Sequence, residues 1–203
     1  MTIIIDLLRH GDVADGTKLL GYCDEPLSKL GWQQLHAVVD EIVDKKTPPW
    51  SNIITSPLQR CHAFAEALVE KFHLPLSVEP RFQEIGFGQW DGRLLAELYQ
   101  GEAANRMMRF WQNPSSNPAP EGEAYQVFEQ RVVTAWEQLL TRHNDHRDTH
   151  YLLVTHGGVI RAILRHVLHF PVENFFRIDV PYASLSRIKL VVPESPQLMF
   201  LNG

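Results

Sequence analysis

The sequence predicts an α/β fold, a mostly parallel central sheet with helices on both faces, and three observations carry that expectation. Short apolar segments alternate with helical patterns along most of the chain. The segments are continuous and rich in β-branched residues, as suits strands buried on both faces. The last two, "SLSRIKLVV" and "QLMFLN", lie within hairpin distance, so at least one is expected to run antiparallel.

The elements follow in order. Ile3–Leu8 reads as a buried strand. "PLSKLGWQQLHAVVDEIVDKK" reads as a helix that Ser28 can cap, with Leu35, Val38, Val39, Ile42 and Val43 at helical spacing. "NIITS" is a second strand. "PLQRCHAFAEALVEKF" is a helix expected to carry Pro57 in its first turn and Leu58, Cys61, Ala65, Leu68 and Phe72 on one face. "LPLSVEP" supplies a third strand. From about 81 to 120 the pattern weakens: Gly86, Gly88 and Gly92 surround Trp90, and a helical pair broken near Gly101 precedes the loop "NPSSNPAPEG". Residues 91–120 are read as a helical lid insertion over an edge of the sheet, within a single domain spanning 1–203. Regular structure resumes with "EAYQVFEQRVVTAWEQLLTRH", a helix presenting Tyr125, Phe128, Val132, Trp136 and Leu139. The strand "HYLLVT" and the helix "GGVIRAILRHVLH" follow.

Composition narrows the function. Apolar residues make up 44% of the 203 and charged ones 21%, ordinary for a globular protein. A net charge of −5 argues against nucleic-acid binding, which needs a basic surface. No apolar run approaches the ~18–20 residues that span a bilayer, and Asp6 and Arg9 interrupt any leader-like pattern, so no membrane partner is expected. Two cysteines, Cys23 and Cys61, are too few for a disulfide framework, and the chain reads as soluble and cytoplasmic. Oligomeric state is not legible.

The chemistry collects at strand ends. In open α/β sheets ligands bind beyond the carboxyl ends of the strands. The first strand ends in Arg9-His10-Gly11; the second leads into a helix whose start carries Arg60; "YLLVT" ends in His156-Gly157-Gly158. Two arginines suit a phosphoryl group, since the guanidinium fork donates paired hydrogen bonds to its oxygens. The Gly157-Gly158 turn offers backbone N–H groups at a helix start. A neutral imidazole can attack phosphorus and leave again. No metal or other cofactor is required if arginines supply the positive charge. His10 and His156 lack the accompanying carboxylate cluster of a metal site, and adjacent guanidiniums would repel a cation. The partner expected is a small-molecule phosphate ester.

These motifs resemble the histidine phosphatase superfamily, with its phosphoglycerate-mutase-like fold. "LLRHGD" and "VTHGGVIR" carry the likeness, and "DEPLSKLG", "SPLQRC", "FQEIGFGQWDG" and "APEGEAYQVFEQRV" supply the landmarks between them, in the family's order. The resemblance implies that His10 becomes phosphohistidine and that Arg9, Arg60 and His156 hold the phosphoryl oxygens. It implies that Glu84 protonates the leaving alkoxide and then activates water, and that Gly11, Tyr22, Cys23 and Gly157 contact substrate. Within the superfamily, the "LLGYCDEPLSKLG" loop, "EIGFGQWDG" and the 91–120 region resemble the α-ribazole-5′-phosphate phosphatases of cobalamin biosynthesis. That likeness implies aromatic residues such as Trp90, Tyr99 or Trp111 against the base. Sugar-phosphate phosphatases and mutases share the same motifs. The pattern departs from relatives at Val13 and Gly16, which stand where threonine and asparagine are common. Cys23 is no rival nucleophile, because Lys29 occupies the arginine position of a C-x₅-R loop. A phospho-ligand binding module on this fold would be expected to lack His10 or Glu84; both are present.

Overall fold

A computed structural model describes residues 1–14, 17–43, 47–141 and 148–203; Gly16 and the histidine-containing stretch 142–147 lie outside the described residues. Six strands form one sheet: β1 (Thr2–Arg9), β2 (Asn52–Thr55), β3 (Leu76–Val78), β4 (Thr149–Thr155), β5 (Leu185–Val191) and β6 (Gln197–Phe200). Their spatial order is β3-β2-β4-β1-β5-β6. The first four positions pair in parallel; β5 runs antiparallel to β1, and β6 to β5. The sheet is therefore mostly parallel with an antiparallel edge, as the sequence predicts.

Alternation along β1 divides the core. Ile3, Ile5 and Leu7 face α5 (Tyr125–Thr141) and α6 (Gly157–Leu168), where Phe128, Val132, Trp136, Ile160 and Ile163 are buried. Leu8 faces α1 (Lys29–Ile42) and α2 (Gln59–Phe72), against Leu35, Val39, Phe64 and Leu68. Ser28 caps α1 as expected, its hydroxyl accepting from the Gly31 N–H at 3.0 Å. Pro57, expected in the first turn of the second helix, lies before it: α2 begins at Gln59. The reason is an outside cap: Leu58 is extended, and Asp24 Oδ1 accepts from the Gln59 N–H at 2.7 Å, so the helix starts there.

Asp6 is a buried carboxylate on the α1/α2 face. It accepts from Trp50 Nε1 (2.8 Å), Arg187 Nε (2.6 Å) and Nη2 (2.9 Å), and pairs with His150 Nε2 (3.0 Å). Burial works to raise its pKa, but these bonds together hold it below the ordinary carboxylate value.

The 91–120 segment contains the broken helical pair, α3 (Leu95–Leu98) and α4 (Gly101–Gln112). It does not cover a sheet edge. Phe110 packs edge-on to Trp90, Phe87 and Trp111, and Trp111 meets Phe176 with ring centroids 4.5 Å apart. Phe110 and Trp111 also line one cavity with Arg9 and His10, which places the segment across the strand tips. Met107 joins the core while Met108 is exposed.

Candidate active site

Ladder register brings the key side chains together. Arg9 pairs with Thr155 across β1 and β4, so the next residues, His10 and His156, emerge side by side. The His10 N–H donates to the Thr155 carbonyl at 2.9 Å, and the Ser56 N–H from the neighbouring β2 donates to Val154 at 3.0 Å. The two imidazoles meet edge-on with centroids 5.2 Å apart. On the other side, Ala183 N–H donates to the His10 carbonyl (3.1 Å), bringing Tyr182 within 5.4 Å of the His10 ring.

His10 Nδ1 lies 2.8 Å from the Gly11 carbonyl. A carbonyl only accepts, so Nδ1 carries the proton and the Nε2 lone pair is free. Burial first, then the Arg60 and Arg9 guanidiniums, push His10 well below the ordinary imidazole range, against the Gly11 bond that raises it. His156 is driven down by burial, Arg60, His10 and Arg9, and its Nε2 hydrogen-bonds Ser56 Oγ at 2.7 Å. Both rings are neutral near pH 7.

Arg60 is fully buried in the first turn of α2. Its Nη1 and Nη2 donate to the Cys23 and Gly21 carbonyls, each at 2.8 Å, while its Nε is buried without a partner. Asp91 fixes that loop by accepting from the N–H groups of Gly21, Tyr22 and Cys23 at 2.9, 2.7 and 3.1 Å. Arg9 donates through Nη1 to Val180 and stacks on Tyr182, Cζ to centroid 4.2 Å; its Nε is likewise buried and unpartnered. Buried guanidinium N–H groups without partners are costly unless an anion completes them.

Glu84 is buried between Ile85 and Gly158, its Oε1 accepting from the Ile85 N–H (2.9 Å) and its Oε2 from Gly158 (3.0 Å). The Gly158 N–H, expected to be free for the ligand, is therefore committed to Glu84. A Cβ on Gly158 would sit 2.2 Å from Glu84 Oε1, which is why glycine stands there. Gly157 borders Arg161 Nη1 and Arg9 Nε, at 3.0 and 3.4 Å from the position a Cβ would take.

A cavity of about 180 Å³ opens on this group, lined by Arg9, His10, Glu84, Gly157, Gly158 and Arg161. Leu19, Phe87, Phe110, Trp111, Phe176 and Tyr182 form its apolar wall. Arg60 and His156 are not part of the wall; they stay fully buried, His156 against His10.

The remaining expected residues are placed differently. Tyr22 and Cys23 line a separate depression with Gly86, Asp91 and Glu123, and their loop meets the site through the backbone carbonyls that hold Arg60. Gly11 is required by packing, since a Cβ there would lie 2.3 Å from the Gly31 carbonyl. Trp90 is in the core and Tyr99 is exposed away from the cavity, leaving Trp111 of the three expected aromatics on its wall. Sequence reasoning missed Arg161 and Tyr182. Arg161 lies in the quoted "VTHGGVIR", and one helical turn pointing back toward its N-terminus could have placed it. Tyr182 had no local signal. Among the described residues no cluster of three or more His, Cys, Asp or Glu is assembled, and no helix is long and apolar enough to cross a membrane.

The sequence profile of the histidine phosphatase superfamily, branch 1, matches residues 5–202. A glucosyl-3-phosphoglycerate phosphatase from Mycolicibacterium vanbaalenii is 29% identical over 175 residues, covering 83% of this chain and 76% of that protein. The adenosylcobalamin/alpha-ribazole phosphatase of Escherichia coli K12 is 28% identical over 184 residues, covering 85% and 84%. Among solved structures, a mycobacterial glucosyl-3-phosphoglycerate phosphatase complexed with VO3 superposes with a TM-score of 0.84 at 26% identity, covering 98% of each chain.

Proposed function

The chain belongs to the histidine phosphatase superfamily and is a phosphoric monoester hydrolase; from that premise we propose that it works through a phosphohistidine on His10. The observation that carries this reading is the pairing of a free His10 Nε2 with two buried, unpartnered guanidinium N–H groups, Arg9 Nε and Arg60 Nε. Nε2 attacks phosphorus while Arg9, Arg60 and His156 stabilise the charge on the equatorial oxygens. Glu84, protonated for this step, gives its proton to the departing alkoxide oxygen. In the second step Glu84 takes a proton from water, which displaces His10 from phosphorus and releases inorganic phosphate. No metal ion or cofactor enters either step. The VO3 complex of the mycobacterial relative supports an anion site in this fold.

As the substrate, α-ribazole 5′-phosphate, whose leaving group is α-ribazole for the nucleotide loop of cobalamin, is supported by the Escherichia coli relative and by the apolar wall around Trp111. A second reading, a compact ester bearing a carboxylate, is favoured by Arg161. Its Nε donates to the Ile178 carbonyl at 2.8 Å and its Nη groups have no hydrogen-bond partner among the described residues. The cavity is also smaller than the ~300–1,000 Å³ that encloses most drug-sized ligands.

The test is turnover of p-nitrophenyl phosphate in chelator, followed by kcat/KM for α-ribazole 5′-phosphate and 3-phosphoglycerate. Acid-labile, base-stable phosphate on residue 10, lost in His10→Ala, is expected. Label on serine or cysteine, or turnover that survives His10→Ala, would refute the mechanism. Binding of phosphate esters without turnover at any pH would identify a binding module instead.

A further inference from the structure

Arg131, on α5, uses all five guanidinium N–H donors, and every one of them holds the segment that carries Glu84 or the residue that braces it. Nη1 donates to the carbonyls of Arg81 and Gln83, both at 2.7 Å, and Nη2 to the Glu84 carbonyl at 2.9 Å. Nε and the second Nη2 proton engage Glu123 Oε1 and Oε2 as a fork, at 2.7 and 2.8 Å. Glu123 in turn accepts from the Gly86 N–H at 3.3 Å, and its own N–H donates to the Gly86 carbonyl at 2.8 Å. The pair is largely buried, and the Arg131 guanidinium lies over the Phe128 ring, Cζ to centroid 4.9 Å.

Three carbonyls on residues 81, 83 and 84 would otherwise stand unsatisfied against a helix, a heavy cost for an irregular segment. Thr155 Oγ1 adds one bond to this segment, donating to the Phe82 carbonyl at 2.9 Å. Neither Arg131 nor Glu123 lines the cavity that His10 lines. We propose that the Arg131–Glu123 pair is the positioning device of the proton donor: it fixes the backbone at Glu84 so that the carboxyl faces the leaving oxygen. Arg131 acts through Glu84 and does not meet substrate. The inference rests on the role proposed above for Glu84.

The experiment compares an ester that needs a proton to leave, glycerol 3-phosphate, with one that does not, p-nitrophenyl phosphate. Arg131→Lys keeps the charge but loses the fork. It is expected to lower kcat/KM for the alkyl ester about 10- to 100-fold, part of the ~100- to 10,000-fold a positioned proton donor supplies. Turnover of the nitrophenyl ester and inhibition by vanadate should stay within about threefold, because the phosphoryl cradle is untouched. A merely structural role would depress all three readouts together, and that pattern, in a variant with unchanged thermal melting, overturns the proposal. Should Arg131→Lys unfold, Glu123→Gln keeps the three carbonyl bonds and removes only the charge pair. A smaller loss confined to the alkyl ester supports the device, and equal loss on both esters overturns it. Glu84→Gln serves as the reference. If it shows no preference between the esters, the Glu84 reading fails and takes this inference with it. If it does and Arg131→Lys does not, only the role of Arg131 falls.

Discussion

Replacing Arg60 with methionine removes the charge while keeping most of the side-chain length. The structure sets the expected size. Two of the five N–H donors are spent on the Gly21 and Cys23 carbonyls, and the buried Nε has no partner, so in the proposed mechanism it is the donor left for a phosphoryl oxygen. A hydrogen bond to a charged group is worth about 1.5–3 kcal/mol, and removal of one preorganised oxyanion donor costs roughly 100- to 1,000-fold in rate. Arg60→Met should therefore lower kcat/KM for p-nitrophenyl phosphate about 100- to 1,000-fold. Stability should move far less. Two carbonyls lose their donors, but a buried cation beside two imidazoles is also relieved, and the two effects are of similar size, each about 1–3 kcal/mol. The pH profile gives a second readout. Arg60 is among the causes that hold both His10 and His156 down, so without it the acid limb of kcat/KM should shift toward neutral pH. Stopped-flow or steady-state assays from pH 4 to 8 measure both effects. Retention of more than a third of wild-type kcat/KM, or an acid limb that stays in place, would refute the reasoning.

Three further outcomes are expected. Gly158→Ala would place a Cβ 2.2 Å from Glu84 Oε1 and displace the carboxyl; glycerol 3-phosphate turnover should fall about 10- to 100-fold while p-nitrophenyl phosphate changes little, and equal loss on both counts against Glu84 as donor. Because His10 and His156 sit well below their ordinary value of 6.5, the unfolded chain binds more protons below that pH, so stability is full above it and is lost as pH falls. Two groups at about 1.36 kcal/mol per pH unit give a drop of about 2.7 kcal/mol between pH 7.5 and 5.5 in urea unfolding; a flat profile would show that the imidazoles are not held neutral. Asp6→Asn breaks a buried network whose members do not line the cavity; it should cost about 2–4 kcal/mol, discounted for the partial exposure of Arg187, and leave kcat within about twofold.

Much of this arrangement was legible in the sequence for a definite reason. Residues 10 and 156 each follow a strand directly, and strand ends in a parallel sheet share one rim, so local patterns alone bring the two histidines together. Arg60 was legible because it opens the helix after β2, the strand beside β4. What escaped depends on contacts between distant segments. Asp91 was visible only as part of "WDG", and nothing near it announces that its carboxylate would gather three N–H groups 68–70 residues upstream. Arg131 stood only inside the landmark "APEGEAYQVFEQRV", and nothing beside it announces that it would hold the carbonyls of residues 81, 83 and 84. The roles expected of Tyr22 and Cys23 were assigned to side chains, whereas the fold uses that loop through its carbonyls, which carry no sequence signature at all. Pro57 was drawn into the helix because proline favours first turns, but the cap that decides the boundary comes from Asp24, 35 residues away.

In the proposed mechanism, the same geometry lets a cationic pocket hold its nucleophile in working form. An imidazole that attacks phosphorus must be unprotonated, yet one pointed at a dianion would ordinarily gain a proton from the attraction. Here Arg9 and Arg60 act on both sides of that problem. They attract the anion, and their fields, added to burial, keep protons off His10 and His156 until the anion arrives. In the proposed mechanism a bound phosphoryl group would neutralise the guanidiniums and relieve that pressure. The Gly11 carbonyl fixes which nitrogen of His10 attacks, because only a protonated Nδ1 satisfies it. A lysine in place of either arginine could supply the charge but not the planar fork that binds loop carbonyls and anion together. Stored desolvation of two arginines and two neutral histidines thus belongs to the chemistry, and the dense apolar packing on both faces of the sheet is what allows the fold to carry it.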